Sequence, residues 1–144
     1  SALNQIHLNR VLFSLRDAIL NKDVMVVRWV HKQLSGESLL FSNQGEIYGV
    51  NALQLAARVG NFEIFKIIWS SFLDVNYVGY SPENFGESAL SEALTYYNPK
   101  TAEAEHDQII HFILNNEKFD PKPLKENDGH MKLLLASCTQ ANNE

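Results

Sequence analysis

The chain has 144 residues, 45% of them apolar and 20% charged, and carries a formal net charge of −5. That is enough for one domain with a sizeable core and too little for two comfortable ones. The acidic balance, with no two Lys or Arg adjacent, argues against nucleic acid, whose phosphates require a basic stripe.

Apolar periodicity places the first helix pair within residues 8–40, on a frame of Leu15, Ala18 and Ile19 followed by Val26, Trp29 and Val30. A turn-rich stretch follows, Ser35-Gly36-Glu37-Ser38 and Ser42-Asn43-Gln44-Gly45. The frame then recurs without a gap in a second unit over 45–77, as Leu53, Ala56, Ala57, Ile64, Ile67 and Ile68. Gly60 supplies a permissive backbone for the turn between its helices. Lys22 stands at the same place in the first unit, so that turn is expected to be built differently.

The third unit, over 82–120, places Gly86, Leu90 and Ala93 where the second has Gly49, Leu53 and Ala56. Its second helix, with Ile109, Phe112 and Ile113, falls farther along than that match requires. An insertion therefore separates its helices, within Tyr96 to Glu105. Thr101 is placed to cap a helix starting in Ala102-Glu103-Ala104-Glu105, which predicts a second helix lengthened at its start. The acidic cluster Glu103, Glu105 and Asp107 then reads as a solvated helical start. Asp120-Pro121-Lys122-Pro123 ends the unit. A last segment, 125–140, repeats Gly49, Leu53 and Ala56 as Gly129, Leu133 and Ala136, and reads as a single closing helix.

The predicted fold is therefore all-α, a solenoid of three helix–turn–helix units and a closing helix. Small residues at Ala18, Ala56, Ala93 and Ala136 allow first helices to stack closely. The second helices each present one bulky face: Val26, Trp29 and Val30; Ile64, Ile67 and Ile68; Ile109, Phe112 and Ile113.

Residues Gly49 to Asn76, G-V-N-A-L-Q-L-A-A-R-V-G-N-F-E-I-F-K-I-I-W-S-S-F-L-D-V-N, resemble the ankyrin repeat. The agreement lies in Gly49, Leu53, Ala56, Ala57, Gly60, Ile64 and Asp74-Val75-Asn76, with degenerate copies on both sides. The threonine and histidine that brace the turn in that family are replaced by Asn51 and Gln54, then by Ser88 and Ser91, polar pairs suited to similar work. In the last unit the matching residues, Met131 and Leu134, offer no such brace.

The resemblance implies a non-catalytic module that grips another protein with its loop tips and the exposed side of its first helices. Carried over by position, that surface comprises Ile47, Tyr48, Val50, Arg58 and Val59, then Asn84, Phe85, Glu87, Thr95 and Tyr96. Tyr80 and Tyr97 join them as connector aromatics, a residue class enriched at interface hot spots. Tyr80, Phe85 and Tyr97 are the ones expected to be exposed. The resemblance also makes Asn76, after Asp-Val, a candidate for asparaginyl hydroxylation. The insertion from Tyr96 to Glu105 is expected to reshape the surface and add specificity. The alternative reading is a targeting or regulatory ankyrin fragment of a larger enzyme or of a secreted microbial effector, which would act in the host cytoplasm.

Catalytic and metal chemistry finds little support. His106 and His111, five apart, diverge on a helix, and no Cys-x-x-Cys or His-x-x-x-His occurs. The single cysteine, Cys138, follows Leu133-Leu134-Leu135-Ala136-Ser137 and reads as an edge thiol; no disulfide is available, which suits a cytoplasmic location. No glycine fingerprint for phosphate is present, and no cofactor or metal is expected. No apolar run reaches the roughly 18 residues of a membrane span. The opening S-A-L-N-Q has no basic start followed by an apolar stretch, so neither membrane insertion nor a signal peptide is expected. An uncovered end of the stack would favour weak self-association through the terminal units.

Overall fold

The structure is a computed structural model that describes residues 2–33, 51–69, 88–100 and 104–122. All regular structure among these residues is helical: α1 (Ala2–Leu20), α2 (Val24–Gln33), α3 (Ala52–Val59), α4 (Phe62–Trp69), α5 (Ala89–Tyr96) and α6 (His106–Leu114). The predicted loop tips and the closing helix fall outside the described residues.

The helices form three consecutive pairs in two layers. α1, α3 and α5 pack side by side in one layer, α2 and α4 then α4 and α6 in the other, and each helix also packs on its own partner. Ala18, Ala56 and Ala93 are buried where first helices approach one another. Between the layers, Leu15, Ile19, Leu53, Leu90 and Leu94 meet Val27, Val30, Ile64, Phe65, Ile68, Ile109, Ile110 and Ile113. Fully burying a side chain of this size contributes roughly 1.5–3 kcal/mol, far more than a helix of two turns gains from propensity alone. In the second layer Phe112 meets Phe62, Phe65 and Trp69 edge-on, at centroid distances of 5.7, 5.9 and 5.1 Å.

The helix starts are capped in register. Asn51 Oδ1 accepts from Gln54 N–H and Gln54 Oε1 from Asn51 N–H, each at 2.8 Å. Ser88 and Ser91 repeat this capping box at the matching positions of the third pair. Asp23 accepts from Val26 N–H at the head of α2, and its counterpart Asn61 accepts from Ile64 N–H at the head of α4.

Four expectations are corrected. The α1–α2 turn is built like the α3–α4 turn: Lys22 adopts φ 55° where Gly60 adopts φ 80°, both left-handed, and each is followed at once by the N-cap. Lys22 N–H and Asp23 N–H close the end of α1 onto the carbonyls of Ile19 and Ala18. In α2, Val27 and Val30 are buried while Val26 and Trp29 are exposed, because no described helix covers that side of α2. The second helix of the third pair is not lengthened: Ala104 and Glu105 are non-helical and α6 starts at His106. Its first turn lacks a side-chain cap because the Glu105 carboxylate is used elsewhere. Finally, α1 begins at Ala2, well before residue 8, in a stretch without Gly or Pro.

Candidate interaction surface

Two clusters tie the second and third pairs together, and both involve residues expected at the surface. The first lies between the ends of α3 and α5. Arg58 occupies the last turn of α3, and Glu92 and Tyr96 sit four apart on one face of α5. Arg58 Nε and Nη2 donate to the Glu92 carboxylate at 2.8 and 2.9 Å, and the guanidinium lies 5.4 Å from the centre of the Tyr96 ring. The Glu92 side chain is 2% exposed and that of Arg58 24%. A bidentate pair this dry satisfies both partners, and breaking it would strand a buried charge.

Arg58 is therefore bound within the protein, held by Glu92 on one side and Tyr96 on the other. Tyr96 is half exposed and Thr95 exposed, so these two form the accessible rim of the cluster. Val59 and Tyr97 are partly buried against the core. The expected exposure of Tyr97 is corrected on this point: it is the C-cap of α5, in extended backbone, and packs against the core while its neighbour Tyr96 faces out. Ile47, Tyr48, Val50, Tyr80, Asn84, Phe85 and Glu87, together with Asn76, lie outside the described residues.

The second cluster surrounds the Gly60 turn. Glu105 N–H donates to the Gly60 carbonyl at 2.7 Å, and its carboxylate accepts from Phe62 N–H at 2.8 Å. The carboxylate thereby caps the head of α4, where a negative charge also suits the helix dipole. Beside it, His106 Nε2 donates to the Arg58 carbonyl at 2.8 Å, and the 5%-exposed ring lies over Gly60. A Cβ at Gly60 would stand 2.6 Å from Nε2 and 2.7 Å from Nδ1. His106 Nδ1 is buried without a hydrogen-bond partner among the described residues. The exit of the long loop is thus locked to the turn of the preceding pair.

This corrects the reading of Glu105 as a solvated helical start. Asp107 and His111, by contrast, are exposed. An open depression of about 400 Å³, lined by Asn61, Phe62, Glu63, Lys66, Glu105 and Gln108, lies alongside the clamp. Lys66 Nζ stands 4.5 Å above the Phe62 ring at its rim.

Glu92, Glu105 and His106 were not singled out by sequence reasoning as parts of a surface. Glu92 had a usable signal: it takes the place in the third unit that Leu55 holds in the second, a carboxylate in an apolar first-helix position. Such a substitution requires a cation nearby, and Arg58 is the basic residue in the last turn of the preceding first helix. Among the described residues no group of three or more His, Cys, Asp or Glu could hold a metal, and no helix is long and apolar enough to cross a membrane. No family model, curated protein or solved structure matches this chain.

Proposed function

We propose that this chain is an ankyrin-type, non-catalytic protein-interaction module. It binds its partner through loop tips and the exposed ends of the first helices, with Thr95 and Tyr96 on the described part of the surface. The observation that carries the reading is the recurrence of paired devices at repeat spacing. Left-handed Lys22 and Gly60, caps Asp23 and Asn61, and capping boxes Asn51–Gln54 and Ser88–Ser91 occupy matching positions in successive pairs. Helix pairs in such register bury a core only by stacking, and the architecture leaves one long edge free for a partner.

The Arg58–Glu92–Tyr96 cluster supports the same reading. A half-exposed Tyr held by a fixed guanidinium is a pre-ordered contact that loses little side-chain freedom on binding. The test is affinity capture with the intact chain and with a variant carrying Tyr80→Ala, Phe85→Ala and Tyr96→Ala. Partners retained by the intact chain and lost by a variant of equal thermal stability bear the proposal out. Retention of every partner by the variant contradicts the surface, and reproducible turnover of a substrate contradicts the non-catalytic reading.

A further inference from the structure

The apolar residues of α2 divide between two sides of the helix. Val27 and Val30 are buried, whereas Met25, Val26 and Trp29 are 79%, 40% and 63% exposed. At about 3.6 residues per turn the exposed three share one arc, opposite the buried stripe.

The repeat register identifies that arc. Met25, Val26 and Trp29 correspond to Glu63, Ile64 and Ile67 of α4. On α4 this side turns toward α2, since Glu63 pairs with Arg28, while Phe62, Phe65 and Trp69 on the other side take Phe112 of α6. The same side of α2 therefore turns away from α4, toward the place a preceding outer helix would fill.

A whole further helix pair does not suit that place. Ser14 and Asp17 of α1 correspond to Ala52 and Leu55, which are buried on α3, yet both are exposed. A first helix stacked on α1 would desolvate Ser14 and the Asp17 carboxylate, whose ion pair with Arg16 is itself exposed. The occupant of the α2 face must leave α1 uncovered.

Charge narrows it further. Residues 22–33 carry Lys22, Arg28 and Lys32 against Asp23 alone, a local surplus of positive charge in a chain of net charge −5. Lys22 and Lys32, both exposed, bracket the apolar patch along the helix. A second copy laid antiparallel would bring Lys22 against Lys32, and like charges in contact oppose that pairing.

The geometry points to Met25, Val26 and Trp29 as a docking face for a single amphipathic helix of a partner protein, its apolar stripe flanked by carboxylates. This surface is distinct from the loop-tip edge and does not depend on it. An interface of this size is small, with an expected Kd on the order of 10 μM.

The test uses the full chain carrying Trp69→Phe, which leaves Trp29 as the one tryptophan of the two. Two synthetic helical peptides share a leucine stripe and differ in having Glu or Lys beside it. The Glu peptide is expected to shift Trp29 emission to the blue, shield it from iodide and saturate. Binding at least about tenfold weaker is expected for the Lys peptide, and also for the Glu peptide with a Val26→Glu variant of unchanged melting temperature. Equal binding of both peptides, or full binding by Val26→Glu, overturns the proposal. So does a Trp29 already shielded in the free monomer, which would mean that the chain covers its own face. Shielding that appears with protein concentration alone, with a dimer in sedimentation equilibrium, overturns it in favour of a second copy.

Discussion

The turns at Lys22–Asp23 and Gly60–Asn61 use the same backbone device and differ in what rests on them. Both reverse the chain with one left-handed residue and restart it with a side-chain cap. Lys22 is exposed, and its turn only connects two helices. Gly60 is buried under the His106 ring, and its carbonyl receives the amide of Glu105. One turn is a connector. The other is the foundation of the long loop in the next pair, which explains why lysine is tolerated in the first and glycine is required in the second.

The comparison is most sharply broken at Gly60. Gly60→Ala meets both left-handed strain and the His106 ring, and is expected to destabilise by about 2–5 kcal/mol in urea unfolding. Combining it with His106→Ala should remove the overlap and leave only the backbone component. A double mutant as unstable as the summed singles would show that the ring does not press on this turn. Next in size is Arg58→Met, which leaves Glu92 buried and unpaired, for a loss of about 2–3 kcal/mol given that Arg58 keeps some exposure. Arg58→Met with Glu92→Leu should recover most of that loss.

Glu105→Ala removes the second cap of α4 and is expected to lose about 1 kcal/mol. Lys22→Gly runs the other way. It relieves left-handed strain on an exposed residue and should stabilise by about 0.5–1 kcal/mol after the added chain entropy of glycine. Destabilisation by Lys22→Gly would mean that the lysine side chain supports its turn after all.

The smallest effect concerns His31, which holds in α2 the place that Trp69 holds in α4. Partial burial lowers its pKa below the ordinary 6.5. The unfolded chain therefore binds more protons, so His31's contribution is complete above about pH 6.5 and declines as pH falls through the folded-state pKa. Melting temperatures at pH 7.5 and pH 5.5 should differ slightly less for His31→Gln than for the unaltered chain.

What the sequence made legible is what depends on local pattern. Leu15, Ala18 and Ile19, with their counterparts Leu53, Ala56 and Ala57, are buried because a helical period and a fixed offset suffice to place them. The pairs Asn51–Gln54 and Ser88–Ser91 were legible as braces because capping spans only one turn of chain. Lys22 was misread because a left-handed lysine is uncommon, although Asp23 directly after it carried the same cap signal as Asn61. Val26 and Trp29 follow the frame and remain exposed, since periodicity reports which residues share a face and not whether anything covers it.

The clamp was out of reach for a different reason. Glu105 meets Phe62 across 43 residues and His106 meets Arg58 across 48, contacts longer than the repeat itself. An insertion breaks the offset on which the self-comparison relied, and an acidic start to a helix looks the same whether the carboxylate faces water or a neighbouring turn.

The lock between the long loop and the Gly60 turn is tested most directly by amide hydrogen exchange at Glu105. Its N–H donates to the Gly60 carbonyl at 2.7 Å, so protection comparable to the amides of α4 is expected. Exchange at the rate of the exposed Lys100 amide would contradict the lock, and with it the placement of the loop exit as a fixed part of the interaction surface.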